Sequence, residues 1–485
     1  MNYWRFGALA GAIVLFVSPA VRAQQAATAP AAAPTPAPPK KDNLNPTVAR
    51  WNVTFYGFAQ GDAVHDSTQS FTEGPNMNKV ARGTTFAGQR GRTQFSARNS
   101  RLGARLSAPE WNGFTASGVL EIDFFGNQGN AAYPPLGTSQ YSNSEFGFYS
   151  NMVPRLRLAF GKITSEYFEL TGGQELYLFG LAPYFLPTTN AYLSTPGLIY
   201  GREPQFTLGH MFKGDDISVD VTLGALRPYT RDGETPDAEA AIRVIFPKWK
   251  GMAGHGAIAP GIDALQVGVS GVGRHFLFNP YSNAAATPTT TRVSEDGWGI
   301  HAALLAPIVP ATPEDRSNAL TLTGSFVKGT GIADFFGGLA GNYTWPNIVT
   351  PGNPMAMPPT MTTSVPYTGS DIDSGLVTYD TSGVSHTIDW MMYTANLQYY
   401  LPIENGKLFW VSGSYGHAES GNLAKLAATN ANAYDKVDYI DANLFIGFGG
   451  AAQVNFTYQY TNQRFLDGVN EINHRLGMSL FYIFL

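Results

Sequence analysis

Gln453-Val454-Asn455-Phe456-Thr457-Tyr458-Gln459-Tyr460 places an apolar or aromatic side chain at every second position and an uncharged polar one between. A period of two belongs to a β-strand with two unlike faces. The polar partners decide the fold. In a soluble sandwich the aromatic row lies against a second sheet, and the outward row carries Lys and Glu. Here the polar row is Gln, Asn and Thr. That composition suits a wet lumen, and the aromatic row suits lipid.

The same alternation recurs on both sides of this stretch. Phe114, Ala116, Gly118, Leu120, Ile122 and Phe124 alternate with Thr115, Ser117, Glu121 and Asp123. Ile217, Val219, Val221 and Leu223 alternate with Ser218, Asp220 and Thr222. Leu320 and Leu322 alternate with Thr321 and Thr323, and Leu476, Met478, Leu480, Tyr482 and Phe484 alternate with Gly477 and Ser479. About sixteen such runs fall between 51 and 485, a barrel-sized number. Their connections alternate in length. Turns at 109–112, 213–215, 402–406 and 449–450 are short; 67–92, 126–145, 178–200, 277–293 and 331–385 are long. Short turns at one end and long loops at the other characterise an outer-membrane barrel. Trp51, Trp111, Trp298, Trp410 and Tyr482 recur near strand ends, as an aromatic girdle requires. The expected fold class is therefore all-β: a transmembrane antiparallel β-barrel of about 16 strands over 51–485.

Composition agrees. Of 485 residues, 44% are hydrophobic but only 14% are charged, against about 25% in soluble domains. There is no cysteine, which excludes a disulfide scaffold, a Cys-ligated metal and a Cys nucleophile. Net charge is -5 with no basic block, which argues against nucleic acid as a partner. At the N-terminus, Arg5 precedes an apolar run over 6–17 that Ser18-Pro19 breaks, and Ala23 ends a cleavage-like stretch. Residues 1–23 are expected to be a signal peptide. Residues 24–50, rich in Ala and Pro, are expected to be an extended periplasmic linker.

Several segments resemble the Gram-negative porin superfamily, specifically the DcaP-like branch of trimeric outer-membrane porins. They are Phe55-Tyr56-Gly57-Phe58 with Asp62, the stretch from Ser96 to Gly103, Pro109-Glu110-Trp111-Asn112-Gly113, Glu121-Ile122-Asp123-Phe124-Phe125-Gly126, and Gly201-Arg202-Glu203-Pro204-Gln205. The C-terminal strand, with Phe484 one residue from its end, resembles the assembly signal of such barrels. The resemblance implies a 16-stranded homotrimer in the outer membrane, with an inward-folded third loop that constricts the pore.

In a water-filled barrel the inward residues set selectivity. Arg101 and Arg105 share one parity, and Arg155 and Arg157 alternate with Leu156 and Leu158. Glu121 and Asp123 face inward on the adjoining strand. Arg98 has the opposite parity, so a bulge near Asn99 or Ser100 must turn it in. Glu166, Glu169 and Glu175 lead into the third loop, and Glu169 joins the pore-lining set. The loop itself carries no charge over 178–200 but holds Phe179, Tyr184, Phe185, Tyr192 and Tyr200. The expected eyelet is basic on one side and aromatic on the other, suited to small solutes and among them to carboxylates. The same inward charges could instead pair across strands and stiffen the wall.

The eight histidines are isolated, and no HExxH motif, nucleophile elbow or phosphate loop occurs. No enzyme activity, metal or cofactor is expected. Outer-membrane lipid is the expected surrounding. The alternatives are an adhesin or receptor barrel working through 331–385, and a barrel-embedded hydrolase with a His–Ser pair.

Overall fold

The computed structural model describes residues 51–126, 152–182, 184–190, 195–229, 234–254, 261–278, 282–283, 292–339, 367–368, 372–373, 375–379, 384–426 and 433–484. The expected signal peptide and linker, Tyr192 and much of 331–385 lie outside them.

Sixteen strands close into one antiparallel barrel. They are β1 (Asn52–Asp66), β2 in two halves (Arg92–Ser96 and Arg101–Ser107), β3 (Thr115–Asp123), β4 (Arg155–Thr164), β5 (Glu169–Leu176), β6 (Arg202–Phe212), β7 (Ser218–Leu226) and β8 (Asp237–Ala253). The second half of the wall is β9 (Gly261–Phe278), β10 (Val293–Val309), β11 (Leu320–Thr330), β12 (Asp389–Tyr400), β13 (Phe409–Ser420), β14 (Tyr434–Phe448), β15 (Ala452–Phe465) and β16 (Asn470–Phe484). Each strand pairs with the next. β1 also pairs with β16, from Gly57↔Phe484 to Asp66↔Arg475, which leaves the sheet no free edge.

The wall is inside-out relative to a soluble protein. On β16, Leu476, Leu480 and Tyr482 are 60%, 52% and 60% exposed, while Asn473, Arg475 and Ser479 between them are buried. The strand read first behaves alike: Phe456 and Tyr458 are exposed, and Asn455, Thr457 and Gln459 are buried. A continuous apolar exterior of this extent has no stable place in water. Trp51, Trp111, Trp298 and Tyr482 are exposed on it, as the girdle reading expects. Trp410 is the exception. It shares the inward parity of Ser412 and stacks on Phe445 (centroids 5.4 Å apart) and Tyr400 (5.9 Å) in a buried cluster with Phe481.

Turn chemistry explains the short ends. Asn112 and Gly113 have φ of 50° and 81°, the paired positive values of a two-residue hairpin turn between Trp111 and Phe114.

One side of the interior is filled. The inward faces of β9 and β11–β15 turn apolar above their polar rows: Val272 and Phe276, Val327, Trp390 and Met392, Ala418, Val437, Phe465. Against them pack Ile332, Phe335, Phe336 and Leu339 of 331–339, which includes a 3-10 turn at Ala333–Phe335. Met77 of the first long connection joins them, as do Tyr177 and Phe179 of 177–201. Arg82 of that first connection pairs with Asp467 in the β15–β16 turn, and this hydrogen bond holds the Asp467 carboxyl below its ordinary range. Open volume remains against β15, β16, β1, β2 and β4–β8.

Candidate functional site

The site grows from the β3–β4 hairpin. Its ladder runs Asp123↔Arg155, then slips one residue between Glu121 and Ile122. The slip sets Arg157 between both acids. Its Nε donates to Glu121 Oε1 at 2.5 Å, its Nη1 to Asp123 Oδ2 at 3.3 Å, and its Nη2 to the Tyr200 hydroxyl at 2.9 Å. Arg155 forks onto Asp123 through Nε (2.9 Å) and Nη2 (2.6 Å).

The break in β2 at 97–100 turns Arg98 toward this group. Its Nη1 lies 3.0 Å from Glu73 Oε1, and its guanidinium covers the Phe125 ring at 4.9 Å. Arg155 covers the same ring at 5.4 Å. On β16, Arg475 forks onto Asp66 at 2.8 and 2.7 Å. Arg202, at the head of β6, reaches Asp123 only at 3.9 Å.

Arg98, Arg155, Arg157, Arg202 and Arg475 line one cavity of about 320 Å³, with Asp62 and Glu73 as its only carboxylates among the described lining residues. The remaining acids sit behind the guanidiniums. The Asp123 side chain is 0% exposed while that of Arg155 is 40% exposed. A solute in the cavity thus meets more positive than negative surface, although the acids beneath balance much of it.

The expected residues divide. Arg98, Glu121, Asp123, Arg155 and Arg157 come together. Arg101 lies over Phe58 (5.4 Å) and Arg105 over Tyr56 (4.3 Å), lower on the wall and outside the cavity lining. Glu169 pairs with Lys162 at 2.6 Å and lines a different cavity, of about 210 Å³.

The aromatic side of the eyelet is corrected by the structure. Phe179 is wholly buried against Phe335, with centroids 5.0 Å apart. Phe185 is buried with Leu181 against Ala303 and Leu305. Tyr184, 38% exposed, lies under the Arg243 guanidinium at 3.5 Å and lines the smaller cavity instead of the arginine-rich one. Of the expected rings that lie among the described residues, only Tyr200 faces the arginine cavity. For Phe179 and Phe185, burial of aromatic area outweighs lining a wet passage, so these two rings fasten the third connection to the wall.

Polar bonds complete that attachment. Gly180 N donates to Ser270 Oγ (2.9 Å), Thr188 N to Asn396 Oδ1 (3.2 Å), and Thr189 Oγ1 to Asp441 Oδ2 (2.6 Å). Asn190 Nδ2 donates to Ser479 Oγ (2.8 Å), and Ser325 Oγ to the Gly197 carbonyl (2.7 Å). The acceptors and donors belong to the buried polar rows of β9, β11, β12, β14 and β16. Gly197 has φ of +84°, and a Cβ there would stand 2.7 Å from the Tyr393 carbonyl carbon. Gly197→Ala is expected to cost about 1–3 kcal/mol from backbone strain before the clash is counted. Its unfolding temperature, read by heat-dependent gel migration, should fall below that of the unaltered barrel.

Arg202, Arg475, Asp62 and Glu73 were not in the expected set. Parity could have found Arg475, which alternates with Leu476 and Met478. Glu73 lies in an aperiodic connection that offers no such signal.

No protein-family model and no curated protein sequence matches the chain. Solved structures do. The outer membrane channel DcaP of Acinetobacter baumannii aligns over 90% of this chain and 97% of its own, with 15% identity and a TM-score of 0.59. OmpT of Vibrio cholerae in its trimer form aligns over 90% and 100% at 10% identity and 0.48. An anion-selective porin from Comamonas acidovorans aligns over 90% and 100% at 9% identity and 0.46. The likeness to the DcaP channel is one of fold: this barrel has the architecture of outer-membrane porins and channels.

Proposed function

We propose that the chain is an outer-membrane porin that lets small hydrophilic solutes diffuse passively and favours anions, carboxylates among them. The observation that carries this reading is the cavity lined by five guanidiniums and two carboxylates. The segment 177–201 acts as the constricting third loop, pressed on the far wall so that solutes pass the cavity lined by β15, β16, β1, β2 and β4. No bond is made or broken. A carboxylate exchanges part of its hydration for the forked N–H donors of Arg155 and Arg202, a geometry that matches its two oxygens. The pairing is shared with Asp123, which keeps it weak enough for release. The working unit is a homotrimer.

Purified protein added to a planar lipid bilayer tests this reading. Current should rise in steps that group in threes. A folded barrel that inserts without conducting would favour a receptor or adhesin role instead.

A further inference from the structure

The first long connection also turns into the lumen. It leaves β1 at Asp66 and runs back beside the inner face of β2. The Phe71 carbonyl accepts from Gln94 Nε2 at 2.9 Å. The Glu73 carboxylate then accepts from Ser96 Oγ at 2.9 Å and from Arg98 Nη1 at 3.0 Å. Arg475 of β16 donates to the carbonyls of Thr72 and Glu73, at 2.5 and 2.6 Å. Phe71 and Val80 are 1% and 0% exposed, so apolar burial holds the segment down as well. Met77 N donates to the Gly337 carbonyl at 2.7 Å, which ties it to 331–339.

This course makes the first connection one edge of the arginine cavity. Thr72, Glu73, Gly74 and Asn76 line it, whereas 177–201 contributes Asn190 and Tyr200. Of the two carboxylates in the lining, Asp62 belongs to a wall strand and accepts from Gln60 Nε2 and Ser479 Oγ. Glu73 is brought in by a connection and is set against a guanidinium. The Glu73 and Arg98 side chains are both 7% exposed, so the two charges oppose each other at the cavity wall rather than in bulk water. Arg98 is also placed without Glu73: its Nε donates to the Phe124 carbonyl at 3.3 Å, and its guanidinium lies 4.9 Å from the Phe125 ring centroid.

We propose that Glu73 is a specificity-determining residue of the passage. Carried in by the first connection, it offsets the charge of Arg98 and so sets how strongly anions are favoured. Neutralising it removes one negative charge from the lining and leaves Arg98 where it is. The proposal rests on the anion-favouring porin reading and assigns the acidic side of that passage to the first connection rather than the third.

Zero-current potentials under a potassium chloride gradient test it, in the unaltered protein, Glu73→Gln, Glu73→Asp and Glu169→Gln. Heat-dependent gel migration shows that each barrel is folded. Glu73→Gln should raise the chloride-to-potassium permeability ratio about threefold, the size expected of one unit charge acting across a wet passage. Glu73→Asp, which keeps the charge, should not raise it. Glu169→Gln removes as much charge but from the smaller cavity, where Glu169 pairs with Lys162, and should move the ratio far less. An unchanged ratio in a folded Glu73→Gln barrel would overturn the assignment, and so would a rise in conductance alone, which would make Glu73 a strap for the connection. An equal rise in Glu169→Gln would overturn it too. Each of these three results leaves the porin reading standing. Faster potassium than chloride passage in the unaltered protein would overturn the anion-favouring reading and this proposal with it.

Discussion

Arg274→Gln is expected to raise single-channel conductance and to lower the unfolding temperature. The Arg274 side chain is 1% exposed on the inner face of β9. Its Nε donates to Asp237 at 2.8 Å, and its two terminal nitrogens to Asp334 at 2.5 and 2.7 Å. A further bond reaches the Gly331 carbonyl at 2.8 Å. The Phe276 and Phe335 rings cover it at 4.9 and 4.7 Å. This one side chain therefore fastens 331–339 to the barrel wall. Glutamine keeps a donor but leaves two buried carboxylates without their cation. Breaking a buried pair in this way costs about 3–5 kcal/mol. The loss falls on the inner segment rather than on the backbone ladder, so the barrel should still fold while 331–339 detaches. Phe335 also packs on Tyr177 and Phe179, with centroids 4.8 and 5.0 Å away, so the third connection should loosen with it. Both changes open volume on the filled side of the lumen. Asp334→Asn, which keeps one acceptor, should shift conductance the same way by less. A folded Arg274→Gln barrel with unchanged conductance would show that 331–339 does not restrict the passage.

Replacing Arg155 and Arg202 together by glutamine is expected to lower the anion-to-cation permeability ratio by about an order of magnitude, since charges near a protein surface interact by a kcal/mol or more and 1.4 kcal/mol is tenfold. The reason is exposure rather than charge count. Arg155 and Arg202 line the cavity and lie 2.6 and 3.9 Å from Asp123, whose side chain is 0% exposed. Without them the solute meets a carboxylate held by Arg157 alone, beside Asp62 and Glu73. Arg101→Gln with Arg105→Gln removes as much charge, but from outside the cavity lining, and should move the ratio far less. Zero-current potentials in a salt gradient separate the two pairs directly. Equal effects from both pairs would mean that overall wall charge, not this cavity, sets the preference.

Local period made the wall legible. The alternation at 453–460 separates lipid-facing from lumen-facing residues, and the parity of Arg155 and Arg157 puts them inside. The Arg98 parity conflict even marks the place where β2 breaks. What period cannot reveal is depth and pairing. Trp410 has the type of a girdle residue but the parity of Ser412, and its parity decided its place. The aromatic loop residues looked like a lining, yet Phe179 and Phe185 are buried where the loop meets strands distant in sequence. Glu73 and Arg98 meet across a long aperiodic connection. The masking of Asp123 depends on a one-residue slip in the β3–β4 ladder, which no alternation records.

The central claim is that a closed, water-filled barrel presents more guanidinium than carboxylate to what passes through it. The zero-current potential across a bilayer holding the unaltered protein, under a potassium chloride gradient, tests it most directly. A potential of the sign set by faster chloride passage is predicted. A potential of the sign set by faster potassium passage would contradict it.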